Sequence, residues 1–273
     1  MEAYGIPSLT KSHIIGAFGD PHIKTWTGQS YDFHGVCDLV LFSNPSFDNG
    51  SGLDVYIRNK RMEMWSFIEI AVIRIGKDKF ELAGGKDNDT FLINGIIHKV
   101  SNENGAVGNI SGYDIKFIQV NDKTRKFVIN LDTNHNNEKI EEIVFTTWNS
   151  FVSVTVKNPT NDHFDGSLGL MGSYPAGAII ARDGNTVFDD SNEFGQEWQV
   201  LSSEPQLFAE RGTVGPNDMC SSPSNAEMRR RLQGSVVTLK EAEIACGSVH
   251  RETKDLCIFD VLATHDKSSS GAY

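Results

Sequence analysis

Three adjacent residues, Asp20, Pro21 and His22, could carry out a reaction on their own backbone. The carboxyl group of Asp20 can reach its own carbonyl carbon through a five-membered ring, which gives the attack a large proximity advantage. The nitrogen of Pro21 leaves as a secondary amine once it is protonated, and His22, which titrates near neutrality, could donate that proton. The product would be an anhydride at Asp20, able to acylate a hydroxyl or amine of a neighbouring chain.

The same residues also have a purely structural interpretation. Asp-Pro is an ordinary turn starter, and His22 could simply form a hydrogen bond in the core. The reaction in addition needs a strained or acid-exposed geometry, which a sequence does not report. Self-cleavage at Asp20-Pro21 and a plain turn therefore both stay open at this point.

The rest of the sequence offers no second catalytic arrangement. It has no Gly-x-Ser-x-Gly, His-Glu-x-x-His or Rossmann fingerprint, and its eight histidines never pair at metal-ligand spacing. Asp87 and Asp89 are paired carboxylates in a loop without an identifiable partner. The glycine-rich stretch 166–175 lacks the Lys-Ser/Thr of a phosphate-binding loop and predicts a tight loop that seals the fold. We therefore expect no enzyme acting on an external substrate and no cofactor.

The charge balance argues against nucleic acid as a partner. The net charge is -11 and the pI is near 5.2, so the field of the chain repels phosphate backbones. One basic cluster, Arg229–Arg231, stands beside Glu227 and is typical of a solvated helix face. No apolar run approaches the roughly 18 to 20 residues that a membrane span needs.

The cysteines and sequons favour an extracellular setting. Four cysteines form no Cys-x-x-Cys pair, so zinc and thioredoxin-type sites have no support, and two disulfides are expected. Asn49, Asn88 and Asn109 begin glycosylation sequons in turn-rich stretches. The amino terminus lacks the features of a signal peptide. The chain is therefore either intracellular or a segment of a longer secreted or cell-surface precursor, and the sequons favour the precursor.

Alternating apolar and polar residues predict an all-β fold. The alternation runs through Leu53–Ile57, Tyr113–Phe117, Phe127–Leu131 and Val152–Val156. Asn94-Gly95 predicts a hairpin with a type I′ turn. A shift of apolar phase within Ile68–Ile75 indicates a β-bulge or a strand buried on both faces. The sum is an antiparallel β-sandwich, with Phe194 and Trp198 expected to close its core.

Changes in composition set the predicted domain boundaries. Residues 1–15 form an N-terminal flank, and residues 16–202 form the β-sandwich domain. Prolines and glycines mark 203–223 as a linker before a small helical, cysteine-bearing extension at 224–273. In that extension Ser224 and Thr238 begin capping boxes, and Cys257–Thr264 predicts a third short amphipathic piece.

Several motifs of the predicted sandwich occur together in a family's order and spacing. They are Gly19-Asp-Pro-His22, Thr25-Trp26, Ser30-Tyr-Asp-Phe33, Gly35-x-Cys37, Gly169-Leu-x-Gly172 and Asn192-Glu-Phe-Gly195-x-x-Trp198. Over roughly residues 16 to 201 the chain thereby resembles a von Willebrand factor type D domain. Roughly residues 220 to 273 resemble, much less closely, the cysteine-bearing extension that often follows such domains.

The resemblance implies an extracellular structural or adhesive module of a larger secreted or cell-surface protein. Its partners would be other extracellular proteins, glycans or copies of itself. Some relatives with Gly-Asp-Pro-His, mucins among them, cut themselves between Asp and Pro, and others keep the tetrapeptide intact. Type D domains also occur in lipid-carrying yolk proteins. A lipid- or glycan-binding module without self-processing is therefore the alternative, with Trp26, Trp65 or Trp148 as an exposed sugar platform.

The family's disulfides can be carried over only in part. Relatives usually bond a cysteine upstream of Gly-Asp-Pro-His to one in a Gly-Leu-Cys-Gly loop. Here no cysteine precedes Gly19, and Met171 stands in the loop, so both halves are missing together. The family's second long bridge implies Cys37–Cys220, which leaves Cys246–Cys257. Closing the longer loop stabilises the fold by upward of ~4 kcal/mol in the chain-entropy model.

The resemblance also raises the question of calcium. Many relatives bind it through an Asp at the position of Thr27, an Asn at that of Ser173 and a carboxylate cluster just beyond, which is apolar here. Calcium needs six to eight oxygens, several of them charged. Asp183, Asn185, Asp189 and Asp190 could form a substitute site but are typical turn caps. We expect no tight calcium site.

Overall fold

Two antiparallel β-sheets and a small helical unit make up the described part of the computed structural model. The structure describes residues 14–19, 21–62, 65–84, 90–100, 103–132, 140–210, 212, 219–221 and 235–273. The predictions for Asp20, Asn88, the Asp87/Asp89 pair, the Ser224 capping box and Arg229–Arg231 fall outside these residues.

The strands follow one another along most of the chain. They are β1 (Ile15–Phe18), β2 (His22–Lys24), β3 (Ser30–Asp32), β4 (Asp38–Asn44), β5 (Leu53–Met62), β6 (Trp65–Ile75), β7 (Asp78–Ala83), β8 (Thr90–Ile93), β9 (Ile96–Lys99), β10 (Gly105–Ile110), β11 (Tyr113–Gln119), β12 (Thr124–Asn130), β13 (Glu142–Trp148) and β14 (Phe151–Lys157). One sheet has the order β10-β11-β12-β13-β14-β1-β2-β3, and the other runs β4 to β9 in sequence order. The chain therefore places β1 inside the first sheet, between β14 and β2.

Local sequence signals explain several of these strands. In β11 the apolar residues of the alternation are buried and the residues between them are exposed. Asn94 and Gly95 adopt φ angles of 53° and 79° at the turn between β8 and β9, as a type I′ turn requires. The register of β6 slips by one residue between Ile68 and Ile70, opposite Arg58 and Asn59 of β5. The antiparallel sandwich, the hairpin and the bulge predicted from the sequence are thus confirmed.

The core lies between the two sheets. Phe80 of β7 has its ring centroid 5.4 Å from those of Phe127 in β12 and Phe145 in β13, so aromatic side chains of the two sheets interlock. A second cluster joins Trp65 of β6 to Phe151 of β14 near one end of the sandwich. Burial of apolar area on this scale is the main stabilising contribution to such a fold.

The glycine-rich loop seals the sandwich, as predicted. The backbone amide of Leu170 donates to the carbonyl of Val40 at 3.1 Å, and Met171 is fully buried. Gly169 has φ 157° and lies so close to the backbone of β4 that a Cβ atom would collide with it. Phe194 and Trp198 are both buried in the main core, as expected.

The segment predicted as a linker, 203–223, packs closely against the sandwich in its first described part. Phe208 is buried in the main core, beneath the guanidinium of Arg58, which lies 4.3 Å from the ring centroid. The amide of Ala209 donates to the carboxylate of Glu81 at 2.7 Å. Residues 203–210 therefore belong physically to the sandwich rather than to a free tether.

Five short α-helices are described, besides two 3-10 helices at Arg251–Thr253 and Lys267–Ala272. The α-helices are α1 (Phe47–Gly50), α2 (Asn161–Phe164), α3 (Ser191–Glu197), α4 (Leu239–Ala245) and α5 (Lys254–Thr264). Thr238 and Glu241 form both halves of a capping box at the start of α4, which confirms that prediction. None of the described helices is both long and apolar enough to cross a membrane.

Residues 235–273, called here the C-terminal unit, have a small core of their own. Val237, Ala242 and Val261 are buried in it, together with the disulfide Cys246–Cys257 that ties α4 to α5. The second disulfide, Cys37–Cys220, ties the beginning of β4 to the chain that follows the sandwich. These are the two pairs that the family resemblance implies.

Candidate functional site

The Asp20–Pro21 bond lies in the connection between β1 and β2. Phe18 pairs with His22 in the antiparallel register of these strands, so residues 19–21 alone join them. Asp20 itself lies outside the described residues. The residues on either side of it define the surroundings of the bond.

Hydrogen bonds hold the backbone on both sides of Asp20. The amide of Gly19 donates to Oγ of Ser153 in β14 at 3.2 Å, and its carbonyl accepts from the amide of Ile68 in β6 at 2.9 Å. The carbonyl of Pro21 accepts from the amide of Phe33 at 3.2 Å. Since β14 and β6 belong to different sheets, the short connection is fixed to both layers of the sandwich.

His22 is buried, with 1% of its surface exposed, and Asp32 faces one side of its ring. Nδ1 of His22 lies 2.6 Å from Oδ1 of Asp32, which comes from β3. Burial raises the pKa of Asp32, but the hydrogen bond with His22 and the charges of His22 and His34 outweigh this and hold that pKa below its usual range. Asp32 therefore stays an ionised partner of the imidazole over the neutral pH range.

A second carboxylate approaches the other side of the ring from the C-terminal unit. Nε2 of His22 lies 3.1 Å from Oδ1 of Asp260, which is 3% exposed and lies in α5. The hydroxyl of Tyr273 donates to Oδ2 of Asp260 at 2.5 Å. The ring of Phe259 packs edge-on against the imidazole, with centroids 5.2 Å apart. The His22 ring is thus enclosed by α5 on the side of Asp260, whereas Asp32 of β3, on the other side, is exposed to solvent.

This arrangement requires an additional proton. A neutral imidazole has one N–H and can donate to one carboxylate only. Hydrogen bonds to both Asp32 and Asp260 form only if a further proton is present, either on the ring, as the imidazolium, or on one of the carboxyl groups. The network of His22, Asp32 and Asp260 therefore holds one proton more than a neutral imidazole with two ionised carboxylates.

Of the three residues predicted for self-cleavage, the structure describes Pro21 and His22. It adds three residues around His22, namely Asp32, Asp260 and Tyr273. Pro21 directly precedes β2, and His22 is the first residue of that strand. Asp32 belongs to the Ser30–Phe33 motif, so the recurrence of that motif with Gly-Asp-Pro-His was a usable signal. Asp260 and Tyr273 had no such signal, because they follow His22 by more than two hundred residues.

The residues discussed for calcium have other contacts. Thr27 is exposed and Ser173 is half-buried. Oδ1 of Asp183 accepts from the amide of Thr186 at 2.9 Å, and Oδ1 of Asp190 accepts from two amides in the first turn of α3. These are the contacts of a turn and of a helix N-cap. Within the described ranges, no group of three or more His, Cys, Asp or Glu side chains is placed to hold a metal ion.

The sugar platform that formed part of the alternative function is wrong, and the three tryptophans lie in the core, as is usual for aromatic residues of a β-sandwich. Trp26, Trp65 and Trp148 are each 4% exposed, because all three pack among other aromatic rings of the sandwich. They have no free face on which a sugar could stack. The sequons at Asn49 and Asn109, by contrast, begin with exposed residues.

Comparisons with known proteins include a short similarity to one much larger protein. No family model matches the chain. Over 46 residues, or 17% of its length, the chain is 44% identical to hemocytin from Bombyx mori. The chain covers about 1% of the length of hemocytin, so the match concerns a small segment of a much larger protein.

Proposed function

We propose that this chain is an extracellular structural or adhesive module of the von Willebrand factor type D kind that cuts its own Asp20–Pro21 bond. The observation that carries the self-cleavage is the buried imidazole of His22, held between Asp32 and Asp260 directly after Pro21. The two disulfides and the segment similar to hemocytin support the extracellular, adhesive setting.

The proposed reaction is intramolecular. A carboxylate oxygen of Asp20 forms a bond to the carbonyl carbon of the same residue, and the bond from that carbon to the nitrogen of Pro21 breaks. The electron pair of the broken bond stays on the nitrogen, which takes its proton from the His22 network. Asp20 is left as a cyclic anhydride. Water opens the anhydride to two carboxyl groups, or a hydroxyl or amine of a neighbouring chain is acylated by it.

The anchored connection supports this chemistry through positioning. Gly19 is held by Ser153 and Ile68, and Pro21 is held by Phe33, so the chain on both sides of the reacting residue has little freedom to move. Restricting the rotation of the reacting groups raises the effective concentration of an intramolecular nucleophile. The proposed reaction uses no external substrate and no cofactor. We propose that the chain does not act as an enzyme on any external substrate.

Mild acid should accelerate the reaction. The nitrogen of Pro21 needs a proton to leave, whereas Asp20 needs an ionised carboxylate to attack. Both conditions are met together in weakly acidic solution, below the ordinary pKa of an imidazole and above that of a carboxyl group.

The test is an intact mass measurement under denaturing conditions after incubation at pH 5 and at pH 8. We expect two fragments, one ending at Asp20 and one beginning at Pro21, with faster formation at pH 5. The variant Asp20→Glu keeps the carboxylate but needs a six-membered ring, and we expect it to be cut at least about ten-fold more slowly. Asp189→Glu, at an exposed turn, is the matched control and should behave like the wild type.

Two results would contradict the proposal. An intact wild-type chain at both pH values would leave an adhesive module without self-processing. Equal cutting of the wild type and Asp20→Glu would show that a contaminating protease, and not the carboxylate of Asp20, breaks the bond.

A further inference from the structure

We propose that the C-terminal unit supplies two positioning residues, Asp260 and Tyr273, which hold the imidazole of His22 and make cleavage depend on the docking of this unit. The inference rests on the proposed self-cleavage and assigns a role to a part of the chain that is remote in sequence from the bond. Neither residue is proposed to touch the reacting atoms.

The contacts of Asp260 indicate this role. A buried carboxylate is strongly unfavourable unless it is paired and hydrogen-bonded. Asp260 lies in α5 of the C-terminal unit, yet one of its oxygens faces His22 of the sandwich and the other accepts from Tyr273. Its neighbour Val261, by contrast, packs into the unit's own core. The carboxylate of Asp260 thus links His22 of the sandwich to Tyr273 of the C-terminal unit.

Aromatic contacts surround this polar network. The ring of Tyr273 stacks on that of Phe18 in β1, with an interplanar angle of 9° and a centroid distance of 6.0 Å. Phe259 closes the edge of the His22 ring. Excluding water from the network strengthens its electrostatic interactions, because the local dielectric constant is low. The unit therefore both supplies the second carboxylate and shields it.

The C-terminal unit also contacts the sandwich at residues other than His22. Oγ1 of Thr124 in β12 donates to the carbonyl of Gly271 at 3.2 Å. Gly271 lies against the indole of Trp148, where a Cβ atom would be only 2.6 Å from Nε1. The disulfide Cys246–Cys257 fixes α5 within the unit one turn before Asp260. The disulfide and these contacts with the sandwich together keep Asp260 in position to contact His22.

The direction of the effect follows from charge. The charged and titratable groups that face the ring include Asp32 from β3 and Asp260 and Tyr273 from the C-terminal unit, with His34 acting on Asp32. Each carboxylate favours the protonated imidazole. Without the charge of Asp260, the ring loses its proton at lower pH, and the supply of protons to Pro21 fails earlier as the pH rises.

The test compares the cleavage rate of the full chain with those of Asp260→Asn and Asp255→Asn from pH 5 to pH 8. Asp255 lies on the exposed side of the same helix and is the matched control. We expect Asp260→Asn to be cut about ten-fold more slowly, and the alkaline limb of its rate profile to move to lower pH. Asp255→Asn should match the wild type in both respects.

Tyr273→Phe is a second variant, in case the loss of the Asp260 charge prevents folding. It keeps the ring on Phe18 and removes only the hydroxyl that orients Asp260. We expect a rate about three- to five-fold below that of the wild type, because the lost hydrogen bond acts on His22 only through the orientation of Asp260. A wild-type rate in this variant and in a folded Asp260→Asn overturns the inference while the proposed function stands.

The NMR titration of the His22 ring in the uncut chain separates the inference from the proposed function. We expect its midpoint to fall in Asp260→Asn and to stay unchanged in Asp255→Asn. If the wild type is never cut but this shift is seen, the proposed function is wrong and the coupling of the C-terminal unit to His22 is supported. If neither cleavage nor shift is seen, both proposals are overturned.

Discussion

Among the described residues, His163 faces one carboxylate and His22 faces two. Nδ1 of His163, in α2, lies 2.5 Å from Oε2 of Glu141, and the other oxygen of Glu141 accepts from the amide of Thr160. That pair fastens a helical turn to the strand region beside it. At His22, two carboxylates from distant segments reach both nitrogens of a fully buried ring.

The difference shows what distinguishes a candidate reactive histidine from a structural one. A single carboxylate on a half-buried histidine is an ordinary way to fix a loop, and Glu141 also serves the backbone there. Asp32 is exposed, but Asp260 is a buried carboxylate, which is unfavourable unless it is paired, so its place beside His22 is difficult to explain by packing alone. Only the His22 site, in addition, adjoins a bond that can break by intramolecular attack.

The largest contrast is expected in the cleavage rate. His22→Ala removes the proton donor and should slow cleavage by about 100-fold or more, since general acid catalysis typically contributes that factor. His163→Ala should leave the rate unchanged and instead lower the free energy of unfolding by about 2 kcal/mol, because Glu141 loses a buried partner. Intact mass and urea unfolding measure the two effects. Equal cleavage by both variants would remove the distinction between the sites.

A smaller contrast is expected in the pH dependence of stability. The hydrogen bond with Glu141 raises the pKa of His163, so its stabilising contribution is complete below the unfolded value of 6.5 and is lost as the pH rises through the folded value. The pKa of Asp32 is lowered, so its contribution is present above the unfolded value of 3.8 and is lost as the pH falls through the folded value.

Urea unfolding of His163→Asn and Asp32→Asn over a pH series checks these opposite signs. The stability gap between the wild type and His163→Asn should shrink from about 1 kcal/mol on going from pH 6 to pH 9. The gap for Asp32→Asn should shrink in acid instead. Two gaps that close in the same direction would contradict the assignment of charges.

The smallest effect is expected from calcium. Asp183 and Asp190 satisfy backbone amides within three residues of themselves, so their oxygens already serve a turn and a helix cap. Calcium at about 5 mM equals or exceeds the dissociation constants of the weakest extracellular calcium sites. Adding it should leave the melting temperature unchanged. The test is differential scanning calorimetry with and without a chelator. A clear rise would show a metal site among these carboxylates.

Local signals were sufficient for much of the fold. The alternation in β11, the Asn94-Gly95 turn and the Thr238 capping box each depend on residues that are neighbours in sequence. The surroundings of the three tryptophans were not predictable in this way. An aromatic residue near a strand end can face the core or the solvent, and only the packing of the second sheet decides which.

The residues of the candidate site likewise divide into those that a local motif indicated and those that depend on tertiary packing. Pro21 and His22 came from a contiguous motif, and Asp32 from a motif ten residues away. Asp260 depends on how a separate helical unit docks, which no local pattern reports, although its capping box and disulfide could be expected. Its role became visible only from the distances to His22 and Tyr273.

The position of β1 has a mechanical consequence. It is hydrogen-bonded on both sides, with three residue pairs to β14 and three to β2. Both disulfides lie on the other side of Pro21, so neither spans the Asp20–Pro21 bond. After a cut, tension applied through residue 20 would load the hydrogen bonds of β1 in shear, with no covalent bond in parallel. The module would then act as a force-limited joint, which holds under small loads and releases a single strand under larger ones.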